Sequence, residues 1–144
     1  IQGLEKNPAN LLPIVMETIS GKRDFMDVYG NDYNTPDGTG IRDYIHVKDL
    51  STAHVKTLNA IIEKKENLII NLATGEGYSV LELIQKTKEI TGKEVNYNIV
   101  ERRPGDPPEL VAASKLAHDR IGWKCEFSDI KTIIQSMWEI YSKQ

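Results

Sequence analysis

FMDVYGNDYNTPDGTGIRDYIHVKDL, residues 25–50, decides the fold. Two short runs in it, FMDVYG and DYIHV, alternate apolar and polar side chains and read as strands; Tyr44 and His46 lie on one face of the second, Ile45 and Val47 on the other. Between them Gly30, Gly38, Gly40 and Pro36 sit among Asn and Asp, so the chain must turn there. Asp49 is the cap expected for a helix over LSTAHVKTLNAIIEKK, in which Leu50, Ala53, Thr57, Leu58 and Ile61 make an inward stripe.

Working outward, the same alternation of helix and strand continues. NLLPIVMETISGK reads as a helix with Asn10 as cap, Pro13 in the first turn, where its missing N–H costs little, and Gly21 as stop. NLIINLAT is a nearly continuous apolar run, as expected of a strand covered on both faces. SVLE is a capping box of Ser79 and Glu82 that opens the helix VLELIQKTKEITG, with Gly92 as stop. VNYNIVE reads as a strand and RRPGDPPEL as a rigid loop, since prolines remove donors and fix φ. SKLAHDRIG, capped by Ser114, and SDIKTIIQSMWEIYSK, capped by Ser128 or Asp129, are the closing helices. The fold class is α/β, a small mixed α+β domain.

The chain's 144 residues are one domain's worth, and a single core over residues 1–144 is expected. With 18 basic and 21 acidic residues the net charge is −3, and no basic stripe points to nucleic acid. Cys125 is the sole cysteine, so no internal disulfide or thiolate cage can form; an ordinary thiol in a reducing cytoplasm is expected. No apolar run approaches the ~20 residues of a membrane span, and IQGLEKNPAN lacks the zones of a signal peptide. A soluble protein without membrane association is expected. The sequence begins at Ile1, as a trimmed or processed piece of a longer chain would.

Catalytic constellations are missing from the pattern. His46, His54 and His118 are scattered, no metal-ligand spacing or Gly-x-Ser-x-Gly elbow occurs, and none of the three is assigned a catalytic role. No Gly-x-Gly-x-x-Gly or Gly-x-x-x-x-Gly-Lys loop is present, and TGEGYS reads as a strand-to-helix turn. What remains is two stiff loops: Arg42 follows PDGTG, while Arg102, Arg103 and Asp106 lie in ERRPGDPP. Surface arginines commonly pair with neighbours such as Asp37, Asp43 or Glu101 for little energy. The competing reading is a diphosphate, whose oxygens suit two preset guanidinium forks. Asp106 would repel phosphate but can accept hydrogen bonds from sugar hydroxyls. Phosphates beside a sugar point to a nucleotide.

NLLPIV, VYGNDYNTPDGTGIRDYIHVKDL, NLATGEGYSVLELI and RRPGDPPELVAAS together resemble the C-terminal, substrate-binding half of the UDP-glucose 4-epimerases, extended members of the short-chain dehydrogenase/reductase superfamily. The long insertion ahead of Arg42 separates them from related nucleotide-sugar dehydratases and decarboxylases. The resemblance implies that Arg42 and Arg103 contact the substrate diphosphate, Asp106 the ribose, and Asn10 and Leu11 the uridine diphosphate from a helix start. It implies further that Asp27 and Tyr29 line the uracil, and that Leu110 stands where other members carry a tyrosine against the sugar, leaving room for an N-acetylated hexose.

The resemblance also implies tightly bound NAD in an N-terminal Rossmann domain that this chain lacks, together with the Tyr-x-x-x-Lys pair that performs the chemistry. Alone, the chain is then expected to be inactive and, with an apolar face uncovered, to self-associate; the full enzyme is expected as a possible homodimer. Two other readings stay open: part of a nucleotide-sugar dehydratase or decarboxylase, and a stand-alone nucleotide-sugar-binding module.

Overall fold

A computed structural model describes residue 4 and residues 6–143. Where chain length leads one to expect a single core, the chain forms two compact units, Ile1–Gly40 with Ser79–Pro108 and Ile134–Gln144, and Ile41–Tyr78 with Glu109–Ile133. Each is gathered around its own parallel strand pair joining segments distant in sequence.

In the first unit, α1 (Leu11–Ile19) follows an extended Asn10 (φ −86°, ψ 148°) that makes no side-chain capping bond, and turns at Ser20 and Gly21. Its Leu12, Val15, Met16 and Ile19 are buried. β1 (Met26–Tyr29) alternates as read, Met26 and Val28 inward, Asp27 and Tyr29 outward. It runs parallel to β4 (Tyr97–Val100) in the register Met26↔Tyr97 to Tyr29↔Val100. α3 (Val80–Thr91) is capped by Ser79, whose Oγ accepts the Glu82 N–H at 3.1 Å, and closed by left-handed Gly92.

The insertion between Gly30 and Gly40 belongs to this unit and is a packed element. Gly38 has φ +80°, and a Cβ there would stand 2.1 Å from the Asn31 carbonyl oxygen, so glycine is required. Tyr33 N–H donates to the Gly38 carbonyl at 2.9 Å, and the Thr35 hydroxyl to that of Thr39 at 2.7 Å. Tyr33 and Thr39 are buried. The Asp37 carboxylate accepts the Thr39 N–H (2.9 Å) and hydroxyl (2.7 Å) and the Ser79 hydroxyl. Thr39 Oγ1 in turn accepts the N–H groups of Val80 (3.1 Å) and Leu81 (3.3 Å). The insertion therefore supplies an extended cap to α3, consuming orphan donors that Ser79 alone cannot reach.

The second unit corrects several expectations. Only Ile41–Arg42 (β2) is strand; DYIHV is not, because Asp43–His46 leads extended into a helix that starts at Val47. β2 pairs in parallel with β5 (Glu109–Leu110), so the segment read as loop ends in a strand. The sheet is ordered β3-β2-β5, with Tyr78 of β3 (Tyr78–Ser79) in this unit. A Cβ on Gly77 would stand 2.5 Å from Ile41 and 2.6 Å from Val111, which makes that glycine a close-approach point.

His46, not Asp49, caps α2 (Val47–Lys64), its Nδ1 accepting the Lys48 N–H at 3.1 Å. Asp49 falls inside the first turn and is buried. Its carboxylate accepts the N–H groups of Glu126 (3.0 Å) and Phe127 (2.9 Å) and the Ser128 hydroxyl (2.5 Å), while Trp123 Nε1 donates to its carbonyl at 2.9 Å. Burial pushes the Asp49 carboxyl pKa up, but the bonds from Ser128, Phe127 and Glu126 outweigh it and hold it below the ordinary value. With Ser128 so engaged, Asp129 serves α5 (Ile130–Tyr141), accepting the Thr132 N–H at 2.9 Å. α4 (Lys115–Ile121) ends at left-handed Gly122, as read.

Ala53, Ala117 and Trp123 are the buried centre of this unit. The stripe expected to point inward from α2 does not: of it only Ala53 is buried, while Leu50, Leu58 and Ile61 are exposed. NLIINLAT is likewise no strand, and Ile69 is 92% exposed. Ala53, Leu58, Ile61, Leu68, Ile69 and Leu72 line a shallow apolar groove. A strand needs a neighbour to take its backbone groups, and the described residues form no ladder there.

Candidate functional site

Parallel strands present ligand-binding groups beyond their carboxyl ends, where the following loops converge. In the first unit those ends carry Tyr29, the last residue of β1, and the loop that leaves β4 with Arg102, Arg103 and Asp106. The Arg103 guanidinium lies over the Tyr29 ring, 3.9 Å from its centroid, a cation–π contact on a 38% exposed tyrosine. Asp27 shares the outer side of β1. The loop is turned by an Asp106 N–H to Arg103 carbonyl bond at 3.2 Å and by Gly105 at φ +79°. Asn10 is exposed and Leu11 half-buried at the start of α1.

In the second unit, the last residues of β2 and β5 are Arg42 and Leu110, partners in the ladder. Arg42 is half-buried and donates from Nη1 to the Ile41 carbonyl at 2.6 Å; Leu110 is 61% exposed. Burial pushes the Tyr44 phenol up to about 12, against the pull of Arg42. Burial also pushes the Cys125 thiol up, toward its neutral form. The structure thus brings Tyr29 together with Arg103 and Arg42 together with Leu110.

Arg102 lies in the loop read as a candidate anion contact, but the resemblance gives it no role. It donates from Nε to Asp32 Oδ1 at 2.5 Å and from Nη2 to the Asp32 carbonyl, and its guanidinium lies 4.3 Å from the Tyr33 ring centroid. The Arg102 bond holds the Asp32 carboxyl below its ordinary value, and the same bond raises the guanidinium. The only signal in the sequence was the paired arginine itself: adjacent residues leaving a strand point to different neighbours.

A family model described as GDP-mannose 4,6 dehydratase matches residues 2–137. The chain belongs to that family. It is 48% identical over 118 residues to the UDP-glucose 4-epimerase of Dictyostelium discoideum, covering 81% of this chain and 34% of that protein. The crystal structure of UDP-glucose-4-epimerase from Stenotrophomonas maltophila with bound NAD and formylated UDP-arabinopyranose matches with a TM-score of 0.90 at 39% identity, over 96% of this chain and 41% of that one. UDP-glucose 4-epimerase from Bifidobacterium longum, in complex with NAD+ and UDP, matches with a TM-score of 0.85 at 42% identity, over 96% and 41% of the two chains.

This member of the GDP-mannose 4,6-dehydratase family therefore spans between about a third and two-fifths of the length of these relatives, on their C-terminal part. The turn at residues 74–77 does not fit the pyrophosphate of NAD. The glycine-containing turn Thr74–Gly77 is closed on itself by the Thr74 hydroxyl bonding to Glu76, and Gly77 is packed against Ile41 and Val111. No open cradle for a pyrophosphate is left there. No group of three metal-ligating side chains occurs among the described residues, and no helix is long and apolar enough to cross a membrane.

Proposed function

We propose that this chain is the UDP-sugar-binding part of a UDP-glucose 4-epimerase, an isomerase that interconverts UDP-glucose and UDP-galactose. NAD and the proton-transfer residues come from the remainder of the longer protein, and the chain alone is catalytically inactive. In this reading Arg103 and Arg42 bind diphosphate oxygens and Asp106 accepts from the ribose. Asn10 and Leu11 offer helix-start N–H groups to the anion. Asp27 and Tyr29 line the uracil, and Leu110 faces the hexose. The grip on the nucleotide leaves the sugar free to turn, so binding energy remote from the reacting carbon does the positioning. The working compartment in this reading is the cytoplasm.

The observation that carries the reading is Arg103 stacked on Tyr29 beyond the carboxyl end of a parallel strand pair. Calorimetric titration of the chain with UDP tests it. Binding with a Kd on the order of micromolar is expected, and Arg103→Ala should weaken it at least about tenfold. Equal affinity of the two proteins would overturn the assignment of Arg103. Unaided turnover of UDP-glucose by the chain, or NAD carried through purification, would overturn its dependence on a missing portion. A second reading, a nucleotide-sugar dehydratase, is favoured by the description of the matching family model; product analysis on the longer protein separates the two.

The exposed apolar face of α2 and residues 67–73 needs cover. In the chain alone a second copy supplies it, since each copy offers the same unpaired segment to its mate.

A further inference from the structure

We propose that Arg102 is a positioning residue: locked to Asp32 and Tyr33, it fixes the loop that holds the neighbouring Arg103 over Tyr29. The inference deepens the nucleotide reading above and rests on it for the identity of the ligand.

Arg102 is the second residue beyond β4, whose ladder to β1 is continued by a Gly30 N–H to Val100 carbonyl bond at 2.8 Å. From there its stem crosses Gly30 so closely that a Cβ at that glycine would lie 2.6 Å from Arg102 Cγ and 2.8 Å from the Tyr33 ring. Gly30 is therefore the gap through which the side chain reaches. Beyond it, one guanidinium takes the side-chain and main-chain oxygens of Asp32 and lies on the face of buried Tyr33. Main-chain anchorage at one end and an aromatic face at the other leave the loop base little freedom. The next residue, Arg103, points to Tyr29. A freely moving Arg103 would lose entropy on meeting an anion, and the clasp removes part of that cost beforehand.

The fork geometry matters, because a lysine ammonium supplies charge without the planar pair of donors. Charge alone also makes a prediction of opposite sign. Asp32 is an acid beside a proposed anion site, so if electrostatics alone acted, Asp32→Asn would tighten UDP binding. Positioning requires that the same change weaken it.

The test uses the 144-residue chain, with Asp32→Asn, Arg102→Lys, the double variant and Arg103→Ala. Denaturation midpoints check that each is folded. Without ligand, the Tyr29 ring resonances of Asp32→Asn and of Arg102→Lys should both move toward those of Arg103→Ala. With UDP, each single variant should bind about tenfold more weakly, and the double no more weakly than either single. Unchanged Tyr29 resonances in Asp32→Asn, or tighter UDP binding by it, overturns the proposal. If the unaltered chain does not bind UDP, the nucleotide reading falls, and the Tyr29 resonances still decide whether the clasp sets Arg103.

Discussion

The insertion at residues 30–40 and the apolar face at α2 and residues 67–73 invert what their compositions lead one to expect. The first is polar and rich in turn residues, yet it buries Tyr33 and Thr39 and satisfies the first turn of α3. The second contains Leu68, Ile69, Ile70 and Leu72 within one short run, yet leaves Ile69 92% exposed. The difference lies in where each finds its partners. The insertion makes several bonds within its own ten or so residues and finds the rest at the start of α3. An apolar strand makes no such local bonds, because its backbone must be paired by another strand.

The contrast breaks most visibly at Gly38. Gly38→Ala places a side chain at φ +80° against the Asn31 carbonyl, and a loss on the order of 3–4 kcal/mol is expected in chemical denaturation. A loss below about 1 kcal/mol would mean that the insertion is a loose loop after all.

The acid cap comes next. Burial raises the Asp37 carboxyl, but the Ser79 hydroxyl, the Thr39 N–H and hydroxyl and the Glu82 N–H together hold it below its ordinary value of 3.8. A carboxyl depressed in the folded state stabilises fully above its unfolded pKa, and that contribution is lost as pH falls from there through the folded value. Asp49 acts with the same sign. Stability should hold from neutrality to about pH 5 and decline below 3.8, toward the lowered values. Asp37→Ala should cost about 2 kcal/mol at pH 7 and flatten the decline. An acid limb as steep as that of the unaltered chain would remove Asp37 from the account.

On the apolar face the expected stability change is smaller and the association change larger. Ile69→Lys should alter folding free energy by no more than about 0.5 kcal/mol, because the side chain touches little. Sedimentation at rising concentration should show the unaltered chain self-associating and the variant monomeric. A monomeric unaltered chain would refute the second-copy proposal. The smallest effect falls on Tyr33→Phe. The Tyr33 hydroxyl is buried with no hydrogen-bond partner among the described residues, so its removal should be neutral or stabilising by up to about 1 kcal/mol.

Helix identities were legible because caps and stops are local chemistry. Ser79, Gly92 and Gly122 end or begin helices where the sequence places those ends. Strands β1 and β4 were legible as strands, but not their pairing. Misreadings arose where a residue answers to a distant one. Asp49 looks like a cap, yet its carboxylate serves N–H groups 77 and 78 positions away, and His46 takes the cap instead. Arg103 was legible as part of a stiff loop after a strand, but its contact with the Tyr29 ring was not. Nor was the role of Arg102, because it depends on Gly30 leaving a passage and on Asp32, 70 residues earlier.

Each unit is threaded from separated stretches, the first needing Ile134–Gln144 and the second Glu109–Ile133. Asp49 waits for Ser128 before its buried charge is satisfied. During synthesis, then, neither unit can reach its native arrangement until nearly the last of these residues has left the ribosome. At ~5–20 residues per second this leaves Ala53 without Ala117 and Trp123, and Asp49 without Ser128, for several seconds, the interval in which chaperone binding has most to protect.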